Sequence, residues 1–354
     1  MKRRRVGVIS VVPSPYQRDL FAALAERPEI DLSVYYMEAA SPDSPWPEKP
    51  LASYEQILPG FWFPMLGARV HFNWRLPRVN QFDLVIVNSL MSLTAQRLMR
   101  GPLRSVPWIF MGEKLGRRGA RWHQALSAPL RCAAGIAAVG TWAESDYRAR
   151  FPEPRCFCLP YYCELDGFLT QPRHSAASEV VFLFCGQMIA RKGVDLLLEA
   201  FASLPDGRLL LVGREAELPR LLASLPANVR ARIEYAGFKS PDALPTVFAR
   251  ADVFVLPSRY DGWGVVVNQA IAAGLPVICS DQVGAGYDLV EPEVNGTRFR
   301  SGDVNSLLSA MQRFVTSPDL IAPFGEASRA KARDWTPEIG AQRWVDAIEA
   351  VLAA

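Results

Sequence analysis

The chain has 354 residues, half of them hydrophobic, with 39 basic residues against 36 acidic ones. This length exceeds a usual single core, so we expect two domains. No apolar run is long enough to cross a bilayer, no signal peptide is apparent and six cysteines are too few for a disulfide scaffold, so the composition predicts a cytoplasmic protein.

Charge is distributed unevenly along the chain. Before Glu179 there are 22 Lys and Arg against 15 Asp and Glu, and from Glu179 onward there are 17 against 21. The first half therefore carries a net charge of +7 and the second half one of −4. This asymmetry favours an anionic partner for the first half, and a solvated basic surface explains it equally well.

The first half is predicted to be a parallel α/β unit. Apolar runs indicate buried strands at residues 6–12, 32–36, 83–87, 108–111 and 135–139. Ligands of open α/β sheets bind beyond the carboxyl ends of the strands, so polar residues after these strands are candidate cleft or acceptor residues. They are Asn88, Ser89 and Glu113.

Aromatic residues are concentrated in two segments with weak periodicity, Phe61-Trp62-Phe63 and His71-Phe72-Asn73-Trp74-Arg75. Such residues either cover an edge of the core or line a pocket for an apolar acceptor. Of these two alternatives we favour cover of the core.

A basic stretch runs from Lys114 to Arg131 with five Lys and Arg and no acidic residue, and it includes Trp122 and Leu126. Interfacial segments combine basic residues with Trp and Leu, so this stretch is a candidate contact for anionic lipid head groups or for the diphosphate of a lipid-linked acceptor. A solvated helix face is an equal alternative.

A polar linker is predicted within residues 160–178, followed by a second α/β unit. Its first strand, residues 180–184, leads through Gly186 to Arg191-Lys192-Gly193 and a helix at residues 194–202. The predicted domains are residues 1–172 and 179–335, with a final helix at 336–354.

The segment from Asp252 to Ser280 reads as a strand, a glycine-rich turn, a helix and a second strand. Gly262 and Gly264 open the helix, and Gly274 with Pro276 ends it. Free backbone amides and the helix dipole suit a phosphate or a sugar hydroxyl at this corner. A buried βαβ unit without a ligand is the alternative.

Two motifs in this half resemble those of retaining nucleotide-sugar glycosyltransferases of the GT4 type, also called glycosyl transferases group 1. One is Pro-Ser-x-x-acid-Gly-aromatic-Gly at residues 257–264, followed by Ala-x-x-Ala-Gly-x-Pro-Val-Ile. The other is Gly186-x-x-x-x-x-Lys192-Gly193 before a helix. The resemblance implies the GT-B fold, in which two Rossmann-like domains face each other across a cleft and the final helix often crosses back to the first domain.

The resemblance also implies roles for particular residues. Ser14 and Tyr16 would lie in the first turn, which in GT-B proteins faces the cleft and helps to hold the donor phosphates or the acceptor. Capping of the following helix explains Ser14 at least as well. Arg191 and Lys192 would hold the donor diphosphate, since Arg offers a planar fork and Lys a compact charge. Family members usually carry two glutamates where this chain has Asp261 and Gln269. Asp261 and Glu113 are the candidate catalytic carboxylates. The candidate donor-binding residues are Gly186, Arg191, Lys192, Gly237, Phe238, Gly262, Trp263, Gly264 and Gln269.

The implied activity is retaining transfer of a sugar from a nucleotide sugar to an acceptor, with a lipid-linked or cell-surface glycan precursor of polysaccharide biosynthesis as the candidate. A nucleotide-sugar epimerase of GT-B fold and a catalytically inactive nucleotide-sugar-binding protein stay open, because both glutamates are altered. Asp-x-Asp pairs are absent and Cys156, Cys158 and Cys163 lack zinc spacing, so we expect no metal and no cofactor. We also expect no nucleic-acid partner, and peripheral contact with the inner face of the membrane if the basic stretch docks.

Overall fold

The protein is described from a computed structural model, which covers residues 3–40, 49–65, 68–115, 121–172 and 179–354, without the side chains of Ala68 and Trp122. The chain divides into two compact units. The first unit comprises Met1–Cys163 with Pro337–Ala354, and the second comprises Glu164–Thr336. Residues 173–178 of the predicted linker lie outside the described part of the chain.

The first unit is built on a parallel sheet of seven strands. The strands of this unit are β1 Arg4–Ser10, β2 Ile30–Tyr36, β3 Glu55–Ile57, β4 Gly60–Met65, β5 Ala68–Asn73, β6 Leu84–Val87, β7 Trp108–Gly112, β8 Gly135–Ala138 and β9 Arg155–Cys158. Their order in the seven-stranded sheet is β3-β2-β1-β6-β7-β8-β9. Val8 on the interior strand β1 pairs with Val34 and Ile86, and all three side chains are buried, as a sheet covered on both faces requires. Its first helices are α1 Pro15–Ala25, α2 Leu93–Arg100, α3 Arg121–Ser127 and α4 Thr141–Arg150.

The two aromatic segments form an antiparallel hairpin, β4 and β5, which is separate from the seven-stranded sheet. The prediction that these aromatics cover the core is wrong for Phe61 and Trp74, each 55% exposed, and for Trp62, 39% exposed. The physical reason is that only β5 packs inward, against α2, where Val70 and Asn73 are fully buried. Every residue of β4 keeps part of its surface in contact with solvent.

The second unit is built on a parallel sheet of six strands. Its strands are β10 Val181–Cys185, β11 Arg208–Val212, β12 Ile233–Tyr235, β13 Val253–Leu256, β14 Val277–Ser280 and β15 Gly296–Phe299, and their order in the sheet is β12-β11-β10-β13-β14-β15. Its helices are α5 Asp166–Leu169, α6 Val194–Ala202, α7 Leu218–Ala223, α8 Ala227–Arg230, α9 Leu244–Phe248, α10 Val266–Ala272, α11 Ala285–Leu289, α12 Val304–Thr316 and α13 Ile321–Ala332. Two parallel sheets with intervening helices confirm the predicted α/β class.

The second unit begins earlier than the predicted domain boundary at residue 172. The reason is α5, whose Phe168 ring packs edge-on against Phe248 of α9 with 5.3 Å between ring centroids. Burial of this aromatic pair attaches the segment after Cys163 to the second unit.

The last helix, α14 Pro337–Leu352, belongs to the first unit and packs on α1. Arg4 of β1 donates two hydrogen bonds to the carboxylate of Glu349, at 2.7 and 2.8 Å. Gly340 lies against the ring of Tyr162, where a Cβ atom would approach ring carbons to 2.5 Å. The chain therefore leaves the first unit and returns to complete it.

Within the described residues, none of the helices is both long enough and apolar enough to cross a lipid bilayer.

Candidate active site

Close backbone contacts bring together the carboxyl ends of three strands in the second unit. Gly213, just after β11, has φ of +131°, and a Cβ atom there would lie 2.0 Å from the carbonyl oxygen of Gly186 after β10. The amide of Gly213 donates to the carbonyl of Gly237 after β12, at 3.0 Å. Gly186 and Gly237, both predicted to bind donor, are thus joined through a glycine that lies outside the predicted donor site.

The turn that carries the basic pair is fixed against the end of β13. Gly193 has φ of +73°, and a Cβ atom there would lie 2.0 Å from the carbonyl oxygen of Pro257. The amide of Arg259 donates to the carbonyl of Arg191 at 2.8 Å. The Arg259 guanidinium also binds both carboxylate oxygens of Asp195 at 2.7 Å. Burial raises the pKa of Asp195, but the hydrogen bonds and positive charge of Arg259, together with backbone hydrogen bonds, outweigh burial and leave that pKa below its usual value.

Arg191, Lys192 and Asp261 converge on one another. The Lys192 ammonium is ion paired with Oδ2 of Asp261, and a guanidinium nitrogen of Arg191 lies 4.0 Å from Oδ1. Arg191 also donates to the carbonyl of Tyr260 at 3.0 Å. The Lys192 side chain is 16% exposed, whereas that of Arg191 is 49% exposed. The predicted diphosphate cations and the predicted catalytic carboxylate therefore form one cluster, in which Arg191 has the greater access to solvent.

The backbone around Asp261 is held on both sides by the segment after β14. Its amide donates to the carbonyl of Gln282 at 2.8 Å, and its carbonyl accepts from the amide of Gly284 at 3.0 Å. A Cβ atom on Gly284 would lie 2.1 Å from the carbonyl oxygen of Gly262, so glycine permits this approach. Asp261 is consequently presented by a backbone with little freedom, which is the condition for a preorganised site.

Trp263 has a structural role that its place among the candidate donor-binding residues does not suggest. Its indole is fully buried, donates from Nε1 to Asn268 at 2.9 Å and stacks on Trp335 with 5.8 Å between ring centroids. The side chain cannot reach a ligand at the surface. The aromatic position of the motif therefore packs the corner from inside.

The remaining donor-site candidates, apart from the buried Gly262, keep part of their surface in contact with solvent. Gly264 has φ of +93° and precedes α10, on which Gln269 is half-buried. Gly237 has φ of +76°, and a Cβ atom added there would have no other atom within 4 Å. The next residue, Phe238, exposes its ring. An exposed aromatic ring beside an unobstructed backbone is suited to contact a planar base.

In the first unit, Glu113 belongs to a cluster that the sequence predicted only in part. Tyr161 is buried, and its hydroxyl hydrogen-bonds the carboxylate of Glu113. Its ring contacts that of Tyr16 with 4.9 Å between centroids, and Tyr147 donates to the backbone carbonyl of Glu113 at 2.9 Å. Burial, and after it the negative charge of Glu113, raises the pKa of Tyr161 well above its ordinary value. Tyr161 therefore remains a proton donor at neutral pH.

The sequence does not mark Tyr161 as a functional candidate. One feature of the sequence could have selected it. Tyr161 lies shortly after β9, in Pro160-Tyr161-Tyr162, and polar residues that follow the other strands are candidates for the same reason. Because tyrosines are frequent in cores, this position alone does not distinguish a packing residue from a partner of Glu113.

Ser14, Asn88 and Ser89 contribute less to a binding surface. The Ser14 hydroxyl is buried and donates to Oε1 of Gln17 at 3.1 Å. The helix-cap alternative is wrong for its side chain, which makes no capping hydrogen bond to α1. Asn88 and Ser89 are half-buried, and the amide of Asn88 donates to the carbonyl of Ile9 beside it at 2.8 Å.

Among the described residues, no three His, Cys, Asp or Glu side chains converge as metal ligands would.

Comparison with protein families identifies the second unit. Residues 170–331 match the family model of glycosyl transferases group 1, and this range contains the cluster of Arg191, Lys192 and Asp261. Residues 170–331 are therefore similar to glycosyl transferases group 1. This result confirms the resemblance inferred from the motifs at Gly186–Gly193 and residues 257–264.

Related sequences of this family match part of the chain. A GDP-mannose-dependent monoacylated alpha-(1-6)-phosphatidylinositol monomannoside mannosyltransferase of Corynebacterium glutamicum is 32% identical over 46% of this chain and 45% of its own. A lipopolysaccharide core biosynthesis glycosyltransferase of Rhizobium meliloti is 31% identical over 41% of this chain and 42% of its own. The chain thus matches less than half the length of each of these two relatives.

Solved structures match nearly the whole chain at low identity. Sucrose-phosphate synthase from Thermosynechococcus elongatus covers 99% of this chain and 100% of its own, with a TM-score of 0.77 and 21% identity. Anabaena HepE in complex with UDP covers 99% and 100%, with a TM-score of 0.73 and 14% identity. The chain therefore has the GT-B fold with two Rossmann-like domains.

Proposed function

We propose that this chain is a retaining glycosyltransferase, which moves a sugar from a nucleotide-sugar donor to an acceptor hydroxyl. The observation that supports this most strongly is the convergence of Arg191, Lys192 and Asp261 in the segments that follow β10 and β13. The family match of the second unit and the UDP bound by Anabaena HepE support a nucleotide-sugar donor.

The difficult electrostatic step is departure of the nucleoside diphosphate. The bond from the anomeric carbon to the phosphate oxygen breaks, and the diphosphate takes the electron pair. Arg191 has an exposed guanidinium beside the cluster, and its planar fork fits phosphate oxygens. Lys192 lies against Asp261, so its charge would be shared between that carboxylate and the leaving group. Cations aimed at developing charge lower the barrier most effectively when they are held in place beforehand.

Asp261 is proposed to bind hydroxyls of the transferred sugar, and Gln269 to bind the donor ribose. An amide can donate and accept hydrogen bonds, so Gln269 can bind a diol although it cannot be an anion. Glu113 is proposed to act on the acceptor side, where its carboxylate would accept the proton that the acceptor hydroxyl loses. Tyr161 would keep this carboxylate in one orientation.

The proposed acceptor is a lipid-linked or cell-surface glycan precursor. The Corynebacterium relative is named for a phosphatidylinositol mannoside acceptor, and the Rhizobium relative for the lipopolysaccharide core. The positive net charge of the first half of the chain fits an acceptor that carries phosphate.

Peripheral contact of the basic stretch Lys114–Arg131 with an anionic membrane is also proposed. Arg117 and Arg118 lie outside the described residues. Of the described cations, Lys114 lies 3.8 Å from the ring centroid of Trp142, while Arg131 is ion paired with Glu153 at 2.7 Å. Because Glu153 partly neutralises Arg131, the attraction of this stretch to an anionic membrane is reduced.

The test is incubation of the purified chain with a panel of UDP-, GDP-, ADP- and dTDP-sugars, first by thermal shift and then by product analysis. Donor binding should raise the melting temperature by mass action. Sugar transfer to an acceptor supports the proposal. Isomerisation of the nucleotide sugar identifies an epimerase, and binding without turnover identifies a nucleotide-sugar-binding protein.

A double variant, Arg191→Ala with Lys192→Ala, tests the site itself. It should lose several kcal/mol of transition-state stabilisation, about a thousandfold or more in kcat/KM. Arg220→Ala is the matched control, because Arg220 is a highly exposed cation of the same unit on α7. Unchanged donor affinity and turnover in a folded double variant would remove the proposed diphosphate site.

A further inference from the structure

The Lys192 ammonium is already bound by an anion of the chain itself. It is ion paired with Oδ2 of Asp261, and both side chains are mostly buried. The hydroxyl of Ser258, a fully buried residue, donates to the same carboxylate oxygen at 3.4 Å. A diphosphate that takes a hydrogen bond from Lys192 must therefore displace or share a contact that exists before the diphosphate arrives.

The carboxylate of Asp261 has little room to move aside. Its amide donates to the carbonyl of Gln282, and its carbonyl accepts from the amide of Gly284, at 2.8 and 3.0 Å. Lys192 has a flexible four-carbon side chain with three donors at its end. The partner that turns toward a diphosphate is consequently Lys192, while Asp261 remains beside the site as a competing anion.

Arg191 is held in a different way. It donates to the carbonyl of Tyr260 at 3.0 Å and lies 4.0 Å from Oδ1 of Asp261. A guanidinium has five N–H donors, so these contacts leave most of them for phosphate oxygens. Arg191 can therefore bind a diphosphate and keep its present contacts, whereas Lys192 has to give up or share its ion pair.

The two nucleotides that would occupy this site differ in charge. A nucleotide sugar carries about two negative charges at neutral pH, because both of its phosphates are esterified. The released nucleoside diphosphate carries nearly three, because its terminal phosphate ionises again with a pKa of about 6. A carboxylate beside the site repels the product more strongly than the donor. Asp261 therefore acts most strongly against the product.

We infer that Asp261 competes with the nucleoside diphosphate product for Lys192, and so keeps the affinity for the product low relative to that for the donor. Hydroxyls of the donor sugar compensate by donating hydrogen bonds to the carboxylate, and the product has no such hydroxyls there. The inference rests on the proposed function, because it needs the diphosphate at Arg191 and Lys192. It adds product release to the role of Asp261 in sugar binding.

The test is calorimetric binding of UDP, GDP, ADP and dTDP to the full chain, without acceptor, and then of the tightest of the four to variants. Asp261→Asn should bind this diphosphate about tenfold more tightly or better, because the Lys192 ammonium is released. The nucleotide sugar with the same base should gain less affinity, since it loses hydrogen bonds to the carboxylate. Asp261→Ser also removes the charge, and it decides the matter if Asp261→Asn does not fold.

Glu234→Gln is the matched control. It removes a carboxylate of the second unit that is paired with Arg250 at 2.7 Å, and neither residue has a proposed role at the donor site. Its affinity for the diphosphate should equal that of the unaltered chain. Lys192→Met separates competition from repulsion at a distance. In that background Asp261→Asn should increase affinity far less than tenfold, because no ammonium is left to release.

Equal or weaker binding of the diphosphate by folded Asp261→Asn would overturn the inference. So would an equal gain for the nucleotide sugar, or an undiminished gain in the Lys192→Met background. In each of these cases the proposed function stands, since the unaltered chain still binds a nucleotide sugar. If neither a nucleoside diphosphate nor a nucleotide sugar binds the unaltered chain, the proposed function itself fails and the inference fails with it.

Discussion

Lys192 and Asp261, 69 residues apart in the chain, form an ion pair in the second unit. The cation proposed to bind the donor diphosphate thus also orients the carboxylate proposed to bind the sugar. Removal of either partner leaves the other charge in a mostly buried site without its counterion, so single substitutions at this pair affect more than one role.

Asp261→Asn should lower kcat by about a hundredfold or more, because a preorganised charge at the reaction centre is lost. Gln269→Glu should lower kcat far less and should leave the donor bound. Steady-state kinetics and donor binding by calorimetry on both variants measure this. Full activity of Asp261→Asn would exclude a catalytic part for the carboxylate and would favour the binding-protein alternative.

Tyr161→Phe should reduce turnover with little change in donor affinity, because Glu113 loses the hydrogen bond that orients its carboxylate. Glu113→Gln should reduce turnover further. Tyr162→Phe is the matched control, since its hydroxyl accepts a hydrogen bond from Arg343 of α14 at 2.6 Å and has no proposed role toward Glu113. That control should lower the melting temperature more than the rate. Equal kinetics of the two tyrosine variants would show that Tyr161 has no positioning role.

Gly193→Ala should destabilise the chain and weaken donor binding, because its Cβ atom would collide with the carbonyl of Pro257 and displace the turn of Arg191 and Lys192. Gly302→Ala separates this clash from backbone strain, since Gly302 has φ of +83° with no atom within 4 Å of the Cβ position. The control should cost about 1–2 kcal/mol of unfolding free energy. Denaturant unfolding measures the loss of unfolding free energy in each variant. Equal losses would mean that the turn shifts to accommodate the new Cβ atom at residue 193 without additional destabilisation.

Stability should fall in acid partly through Glu55, whose side chain is fully buried and binds Arg18 at 2.6 Å. Burial raises the pKa of Glu55, but hydrogen bonds from Arg18, the amide of Ala52 and the Tyr36 hydroxyl outweigh it and lower that pKa below its ordinary value. As the pH falls, Glu55 is therefore protonated in the unfolded chain before it is protonated in the folded chain. The contribution of Glu55 is complete above the ordinary glutamate pKa of about 4.3 and is lost as the pH falls through the lower folded value.

Glu55→Gln should accordingly be less stable than the unaltered chain at pH 7, by about 3–5 kcal/mol. Between about pH 5 and pH 3 the variant should lose less unfolding free energy than the unaltered chain does. Glu153→Gln is the control, because its pair with Arg131 is half exposed. Denaturant unfolding at several pH values gives both curves. Parallel curves for Glu55→Gln and the unaltered chain would contradict the linkage.

Much of the fold follows from local signals. The strand Val253–Leu256 and the helix Val194–Ala202 have the bounds that the sequence predicts, since each is a buried apolar segment limited by glycine or proline. The hairpin β4–β5 escapes prediction because its rings face solvent and give no alternation of apolar and polar residues. Its stability comes from Asn73 and Glu38, whose partners are remote in sequence.

The candidate site can be predicted in its composition but not in its contacts. Motif spacing selects Lys192 and Asp261, yet nothing in that spacing indicates that their side chains touch. Burial of Trp263 cannot be read from the motif because the residue that covers it, Trp335, lies beyond the motif. Glu113 follows β7 and Tyr161 comes after β9, and their relation arises only when these two strands pair on either side of β8.

The return of α14 to the first unit has a consequence for synthesis on the ribosome. Residues up to Cys163 emerge first, but the helix that packs on α1 and is tied to β1 through Glu349 emerges after the whole second unit. The second unit is continuous in sequence and can fold as soon as it is exposed, whereas the first must wait with an uncovered face on α1. Chaperone binding to nascent chains should therefore persist until α14 is released, and residues 3–163 should need fusion to residues 337–354 to form that unit.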